Sequence, residues 1–164
     1  MRRLALAAPL AIAAVAAALF LTPRVSSDEV APAAHVVIVP ADVKWADGPP
    51  SLPPGAKLAV IRGDMNKANV VTFRLKVPAG YRVPPHWHPA DEHVTVLEGS
   101  LHMGMGETFD EAAGHEMPPG GFAAMTAGVR HFAWSKNGAT IQVHAMGPWG
   151  INYVNPADDP RTKK

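Results

Sequence analysis

The 164-residue sequence contains no cysteine. Disulfides, thiolate metal sites, iron–sulfur clusters, cysteine nucleophiles and an anchor acylated on cysteine are therefore all excluded. An excess of one charge is also missing, because 15 basic residues balance 14 acidic ones. This balance gives no electrostatic reason to expect nucleic acid as a partner. Capped amphipathic helices are absent after residue 22, whereas 14 glycines and 17 prolines suit short strands joined by turns.

The N-terminus carries the longest hydrophobic run of the sequence. Arg2 and Arg3 precede residues 4–21, which contain no charged side chain. A basic start followed by an apolar run is typical of a secretory signal peptide, which we predict over residues 1–27. The run is long for a signal peptide, so an uncleaved membrane anchor is the alternative. Both predict export, to the periplasm in a Gram-negative cell, with membrane contact only through this segment.

The rest of the chain is predicted to be one all-β domain with extensions at both ends. Residues 28–56 read as a linker and N-terminal extension that holds one short strand, HVVIVP at 35–40, before a proline-rich loop. Short apolar runs then alternate with glycine turns, which predicts a sandwich or barrel over residues 57–155. Residues 156–164 are expected to form a flexible tail.

Two features refine the predicted strands. In residues 70–77, Val71, Phe73, Leu75 and Val77 alternate with polar side chains, so these four are expected to face the core. Asn-Gly at 137–138 is the preferred signal for a two-residue hairpin. We therefore expect the runs on either side of it, RHFAWS and ATIQVHAM, to pair with each other.

The segment HWHPADEH at 86–93 holds three of the eight histidines and two acids. His86 and His88 are two residues apart, so on a strand they point to the same side, about 6.5 Å apart. That spacing lets both imidazoles bind one ion at about 2.0–2.1 Å. A turn at 89–91, read as a hairpin, would bring Glu92 back beside the two histidines.

A fourth ligand must come from elsewhere in the chain, and His131 is the best candidate because it begins a strand directly after a glycine turn. Strand alternation places Val94 and Val96 inside with Glu92 and turns His93 away. His93, His102 and His144 are therefore candidates for supporting positions around the site rather than for ligands. No general base is evident beside the four predicted ligands.

The segment GYRVPPHWHPADEHVTVLEG resembles the first conserved motif of the cupin superfamily, with Gly80, His86, His88, Glu92 and Gly99 on pattern. The later segment GGFAAMTAGVRHFAWS is similar to the second motif, with Gly120, Gly128 and His131 on pattern. Thr126 and Ser135 depart from it, standing where proline and asparagine are usual. The resemblance implies a double-stranded β-helix, or jelly roll, with a divalent metal bound by three histidines and one glutamate.

This donor set suits iron(II), which we favour, and also manganese, nickel, zinc or copper. The resemblance implies a metal-dependent oxidoreductase of the dioxygenase type that acts on a small, oxygen-chelating organic substrate. The methionines of the chain leave open a second function, copper handling without catalysis, and a non-catalytic cupin that binds a small ligand is a third. Cupins often pair through edge strands, so a homodimer is also expected.

Overall fold

Two antiparallel β-sheets face each other across an apolar interior. The computed structural model describes residues 35–163. Its strands are β1 (Ala46–Asp47), β2 (Lys57–Arg62), β3 (Val70–Val77), β4 (Tyr81–Trp87), β5 (Glu92–Gly99), β6 (Leu101–Met105), β7 (His115–Met117), β8 (Phe122–Met125), β9 (His131–Ser135), β10 (Ala139–Met146) and β11 (Asn152–Tyr153). Four 3-10 helices occupy Pro40–Asp42, Glu111–Ala113, Pro156–Asp158 and Pro160–Thr162.

The larger sheet, sheet A, has the strand order β1-β2-β3-β10-β5-β8, and sheet B has the order β11-β4-β9-β6-β7. From β3 onward the chain crosses repeatedly from one sheet to the other, which defines a jelly roll. The predicted all-β, double-stranded β-helix is thus confirmed. The alternation predicted for β3 is also observed, because Val71, Phe73 and Val77 are buried in the core between the sheets.

Both predicted hairpins are wrong, for the same physical reason. The Asn-Gly turn at 137–138 leads from β9 in sheet B to β10 in sheet A. Strand β10 already has β3 and β5 on its two edges, and β9 lies between β4 and β6, so neither strand has a free edge for the other. The turn at 89–91 likewise carries the chain across the sandwich, from β4 to β5.

The N-terminal extension differs from its prediction. Residues 35–39 form no strand, and Val37 remains 73% exposed. A run of β-branched residues needs a sheet edge to pair with, and this run has none among the described residues. The one short strand of the extension is β1 instead, in which Ala46 and Asp47 pair with Leu58 and Lys57.

The C-terminal segment is more regular than expected. The two last 3-10 helices cover most of residues 156–163, and the Arg161 guanidinium donates to the carbonyl oxygen of Ile151 at 3.2 Å. The predicted signal peptide or anchor lies outside the described residues. Within residues 35–163, no helix has the length and apolar character needed to cross a membrane. The predicted domain boundaries stay predictions.

Ser135 shows how the fold accommodates one departure from the cupin pattern. Its side chain is almost fully buried, and its hydroxyl donates to the carbonyl oxygen of Ser100 at 2.7 Å. This bond ties the end of β9 to the start of β6, the adjacent strand of sheet B. Burial of a polar group that is hydrogen-bonded in this way costs little folding free energy, so the fold tolerates serine at this position.

The glycines of the first motif give a test of the fold. Gly80 and Gly99 both have positive φ values, 74° and 70°. A Cβ at Gly99 would collide with the carbonyl oxygen of Gly138, whereas one at Gly80 would meet nothing within 4 Å. We expect Gly80→Ala to lower the free energy of unfolding by about 1–2 kcal/mol through backbone strain alone. Gly99→Ala should lower the free energy of unfolding clearly more than Gly80→Ala does, as measured by urea titration. Equal decreases in the two variants would contradict the close contact between Gly99 and Gly138.

Candidate metal centre

The four predicted ligands come together at one end of the barrel. His86 on β4 lies directly opposite His131 on β9, with ring centroids 4.2 Å apart. His88 follows the end of β4, and Glu92 begins β5 in the facing sheet. All four are buried, with exposures of 4% for His86, 6% for His88, 8% for Glu92 and 1% for His131.

The predicted hairpin is therefore not what brings Glu92 to the histidines. The turn crosses the sandwich, and Glu92 extends from sheet A toward the histidines of sheet B. Its Oε2 atom lies 3.3 Å from His131 Nε2 and 3.5 Å from His88 Nε2. Two loop contacts fix this crossing: Gly128 N–H donates to the His88 carbonyl at 2.9 Å, and Ala127 N–H donates to Asp91 Oδ1 at 2.8 Å.

Each histidine is oriented by a backbone carbonyl. His86 Nδ1 lies 2.7 Å from the oxygen of Pro84, His131 Nδ1 lies 3.0 Å from that of Val129, and His88 Nδ1 lies 2.7 Å from that of Gly150. A carbonyl oxygen can only accept, so Nδ1 carries the proton in all three rings. In the neutral imidazoles the free lone pair is then on Nε2, the atom available to a metal.

The geometry of the free nitrogens fits one ion. One ligand atom from each of His86, His88 and His131 can be chosen so that all lie within 4.8 Å of one another. His88 Nε2 is buried and has no hydrogen-bond partner among the described residues. A buried nitrogen acceptor without a partner is costly, and coordination of a cation is the interaction that would satisfy it.

The environment of the pocket favours the unprotonated form of two of these rings, His86 and His88. Burial is the main cause that lowers the pKa of His86 well below its usual value, and the neighbouring His131 and His88 lower it further. Burial also lowers the pKa of His88, against the opposing effect of the Glu92 carboxylate. Neutral imidazole is the form that binds metals, so His86 and His88 are already in the form that can coordinate a cation.

A cavity of about 300 Å³ extends from these residues through the barrel. Its walls are mainly apolar and include Phe73, Val94, Leu101, Ile141 and Trp149. Glu92 is the only acidic residue in the lining, and neither lysine nor arginine lines it within the described part of the chain. The volume is at the lower end of the range of about 300–1,000 Å³ that is usual for ligand pockets.

The C-terminal segment supplies two groups that sequence reasoning missed. The Gly150 carbonyl holds His88, and the Trp149 indole stacks on the His88 ring with centroids 4.1 Å apart and planes 19° apart. Backbone carbonyls have no residue-type signal, so no pattern could have identified Gly150. The aromatic residues in GPWGINY were the available signal, but without the fold they indicate surface packing equally well.

The three histidines predicted to support the site do not do so. His93 and His144 pair across β5 and β10 on the exposed outer face of sheet A, where Thr72 Oγ1 lies 3.0 Å from His144 Nδ1. His102 is buried, but it lies on the face of β6 opposite Leu101 and Met103, the two residues of this strand that line the cavity. There it stacks on Trp134, and its Nε2 atom lies 3.8 Å from a carboxylate oxygen of Glu116. Strand alternation explains all three positions.

The comparisons with known proteins agree with this architecture. A family model described as the ChrR cupin-like domain matches residues 33–145, so the chain belongs to this family within the cupin superfamily. Among curated proteins, none matches the sequence significantly. Several hundred solved structures are similar to the fold.

Three of these structures illustrate the likeness. The polyketide cyclase RemF from Streptomyces resistomycificus is 20% identical, with a TM-score of 0.61 over 77% of this chain and 90% of its own. A protein provisionally identified as an acetylacetone dioxygenase from Methylibium petroleiphilum PM1 is 19% identical, with a TM-score of 0.57 over 77% and 85%. An RmlC-like cupin from Shewanella frigidimarina is 15% identical, with a TM-score of 0.54 over 70% and 92%. At these identities the likeness establishes the fold alone.

The lowered histidine pKa values predict a pH-dependent stability of the metal-free protein. Above pH 6.5, His86 and His88 are neutral in both the folded and unfolded states. Below pH 6.5, His86 and His88 become protonated in the unfolded chain but stay neutral in the folded protein. The free energy of unfolding therefore falls as the pH falls. The loss should reach up to about 1.4 kcal/mol per pH unit for each histidine.

Urea titrations in a chelator between pH 7.5 and pH 5 measure this slope. His86→Gln should flatten it, whereas Phe122→Leu, an exposed variant that removes no titratable group, should leave it unchanged. An unaltered slope in His86→Gln would show that protonation of the buried cluster does not control stability.

Proposed function

We propose that this protein binds one divalent metal ion through His86, His88, Glu92 and His131 and uses it as an oxidoreductase of the dioxygenase type. The observation that carries the proposal is the set of three Nδ1–H bonds to backbone carbonyls, which leaves the Nε2 atoms of three clustered, buried histidines free beside a carboxylate. Such hydrogen bonds are the usual means by which proteins orient histidine ligands.

Three imidazole nitrogens and one carboxylate oxygen favour iron(II) among the metals available to such a site, with manganese, nickel, zinc and copper as further candidates. Iron held this way supplies redox chemistry and activation of dioxygen. The chain itself contributes the apolar walls that exclude water from the reacting atoms. It contributes neutral imidazoles as well, since burial keeps the His86 and His88 pKa values low.

The cavity supports a substrate with a neutral, apolar body and one oxygen-chelating group. Apolar walls contact the body, and the cluster of histidines and Glu92 lies where the chelating group would bind. Without lysine or arginine in the described lining, a second anionic group on the substrate would be buried without a cationic partner. A diketone, the compound class named for the Methylibium neighbour, meets this description and belongs among the first compounds to test.

Export is also part of the proposal, and it rests on the basic start and the uncharged run of residues 4–21. The homodimer expected from the cupin resemblance stays a prediction.

Copper handling without catalysis is the second candidate function, because two methionines share the cavity with the histidines. Met65 and Met103 both line it, and thioether sulfur is a good ligand for copper(I). Met117 and Met125 are buried in the core instead, and Met105 and Met146 are exposed. The metal content of the purified protein separates the two functions.

The first prediction from this proposal concerns stoichiometry. Protein purified without added metal, then analysed by elemental mass spectrometry, should hold about one transition-metal ion per chain. His88→Ala and His131→Ala should lose it, because each removes a ligand and leaves a cavity in its place. His93→Ala is the matched control on the outer face and should keep the metal. Retention of metal by both ligand variants would refute the site.

The second prediction concerns turnover. The iron-loaded protein should consume dioxygen with neutral 1,3-diketones, flavonols or catechols that bear an apolar body, and His131→Ala should abolish the uptake. Dicarboxylates should give none, since the described lining offers no cation for the second charge. Stoichiometric copper and no oxygen uptake with any compound would favour the metal-handling function instead.

A further inference from the structure

The segment after β10 contributes to the proposed metal site without containing a ligand. We infer that Trp149 is a positioning residue that raises the affinity of the site for metal by stacking on His88. This inference rests on the proposed function, since it concerns the same ion. It adds a residue that neither of the two cupin motifs contains.

His88 differs from the other two histidines in what holds it. His86 lies within β4 and His131 begins β9, and each bonds to a carbonyl two residues earlier in the chain. His88 lies just beyond the end of β4 and takes its carbonyl from Gly150, 62 positions away. Its orientation therefore depends on the segment 147–153, whereas the other two rings are oriented by carbonyls of their own immediate neighbours in the chain.

That segment is itself fixed to the barrel at several points. Trp149 N–H donates to the Met65 carbonyl at 2.7 Å, and Gly147 N–H donates to the Asn69 carbonyl at 2.9 Å. Farther along, Asn152 and Tyr153 pair with Trp87 and His86 as strand β11. The indole is thus held against His88 before any metal arrives, so little ordering is needed when the metal binds.

The stack should be stronger in the metal-bound state. An imidazole that donates its Nε2 lone pair to a divalent cation becomes more positive, and the face of an indole ring is negative. With ring centroids 4.1 Å apart and planes 19° apart, the two rings are in stacking contact. Trp149 therefore stabilises the ligated form of His88 more than the free form, and this difference appears as metal affinity rather than only as fold stability.

Cobalt(II) binding to the apo-protein, followed by its visible absorption and by equilibrium dialysis, tests this inference. Trp149→Leu should raise the dissociation constant about tenfold, within the range of about 10–100-fold typical for residues that orient a metal ligand. Trp149→Phe, which keeps an aromatic face, should stay within about threefold of wild type. Phe122→Leu is the matched control, because Phe122 lies 5.8 Å from the ring of His93 on the outer face.

If Trp149 only filled space, the leucine and phenylalanine variants would lose cobalt affinity equally. Wild-type cobalt affinity in Trp149→Leu would overturn the inference directly. Wild-type protein that binds no cobalt would overturn the proposed site as well, which separates the two failures.

A second measurement uses only the wild-type protein, so its result does not depend on whether a variant folds. In the zinc-loaded wild type, the indole ring current should shift the His88 ring protons upfield relative to those of His86 and His131, and unshifted protons would show that the stack is absent.

Discussion

Three hydrogen bonds from imidazole Nδ1–H groups to backbone carbonyls determine what the interior of this barrel can do. They fix the tautomer and the direction of His86, His88 and His131 at once. Burial lowers the pKa of His86 and of His88, which keeps these two rings neutral, and His88 Nε2 has no hydrogen-bond partner among the described residues. A buried nitrogen acceptor without a partner is costly, and a cation bound among the three histidines would supply the missing interaction.

The jelly roll makes this arrangement possible because it brings two sheets to one point. Sheet B presents His86 and His131 side by side, and the crossing after β4 puts Glu92 on sheet A, opposite them. The C-terminal segment closes the group by supplying the carbonyl of Gly150 to His88. Deformation of either sheet, or displacement of residues 147–153, would change the distances between these groups. Fold stability and site geometry are therefore coupled in this protein.

The sequence alone was sufficient for the fold class and for the four residues that converge, since motif spacing and strand alternation both act locally. It failed for the two hairpins, because whether two consecutive strands pair with each other depends on the order of all the strands in both sheets. Residues 35–40 were misread because β-branched residues form a strand only where an edge accepts them. The carbonyls of Pro84, Val129 and Gly150 had no signal at all, since any residue type carries the same oxygen.

The charge balance of the cavity connects the site to the kind of molecule it can accept. A divalent ion held by neutral imidazoles and the single Glu92 carboxylate would retain a net charge of about +1. The described lining offers no further acid to neutralise it, and the apolar walls exclude the water that would screen it. Under the proposed function, the best ligand would therefore satisfy two conditions: negative charge at its chelating oxygens and an otherwise apolar surface. An enolate or a catecholate on a hydrocarbon body meets both conditions, whereas a dicarboxylate meets only the first and a neutral sugar meets neither.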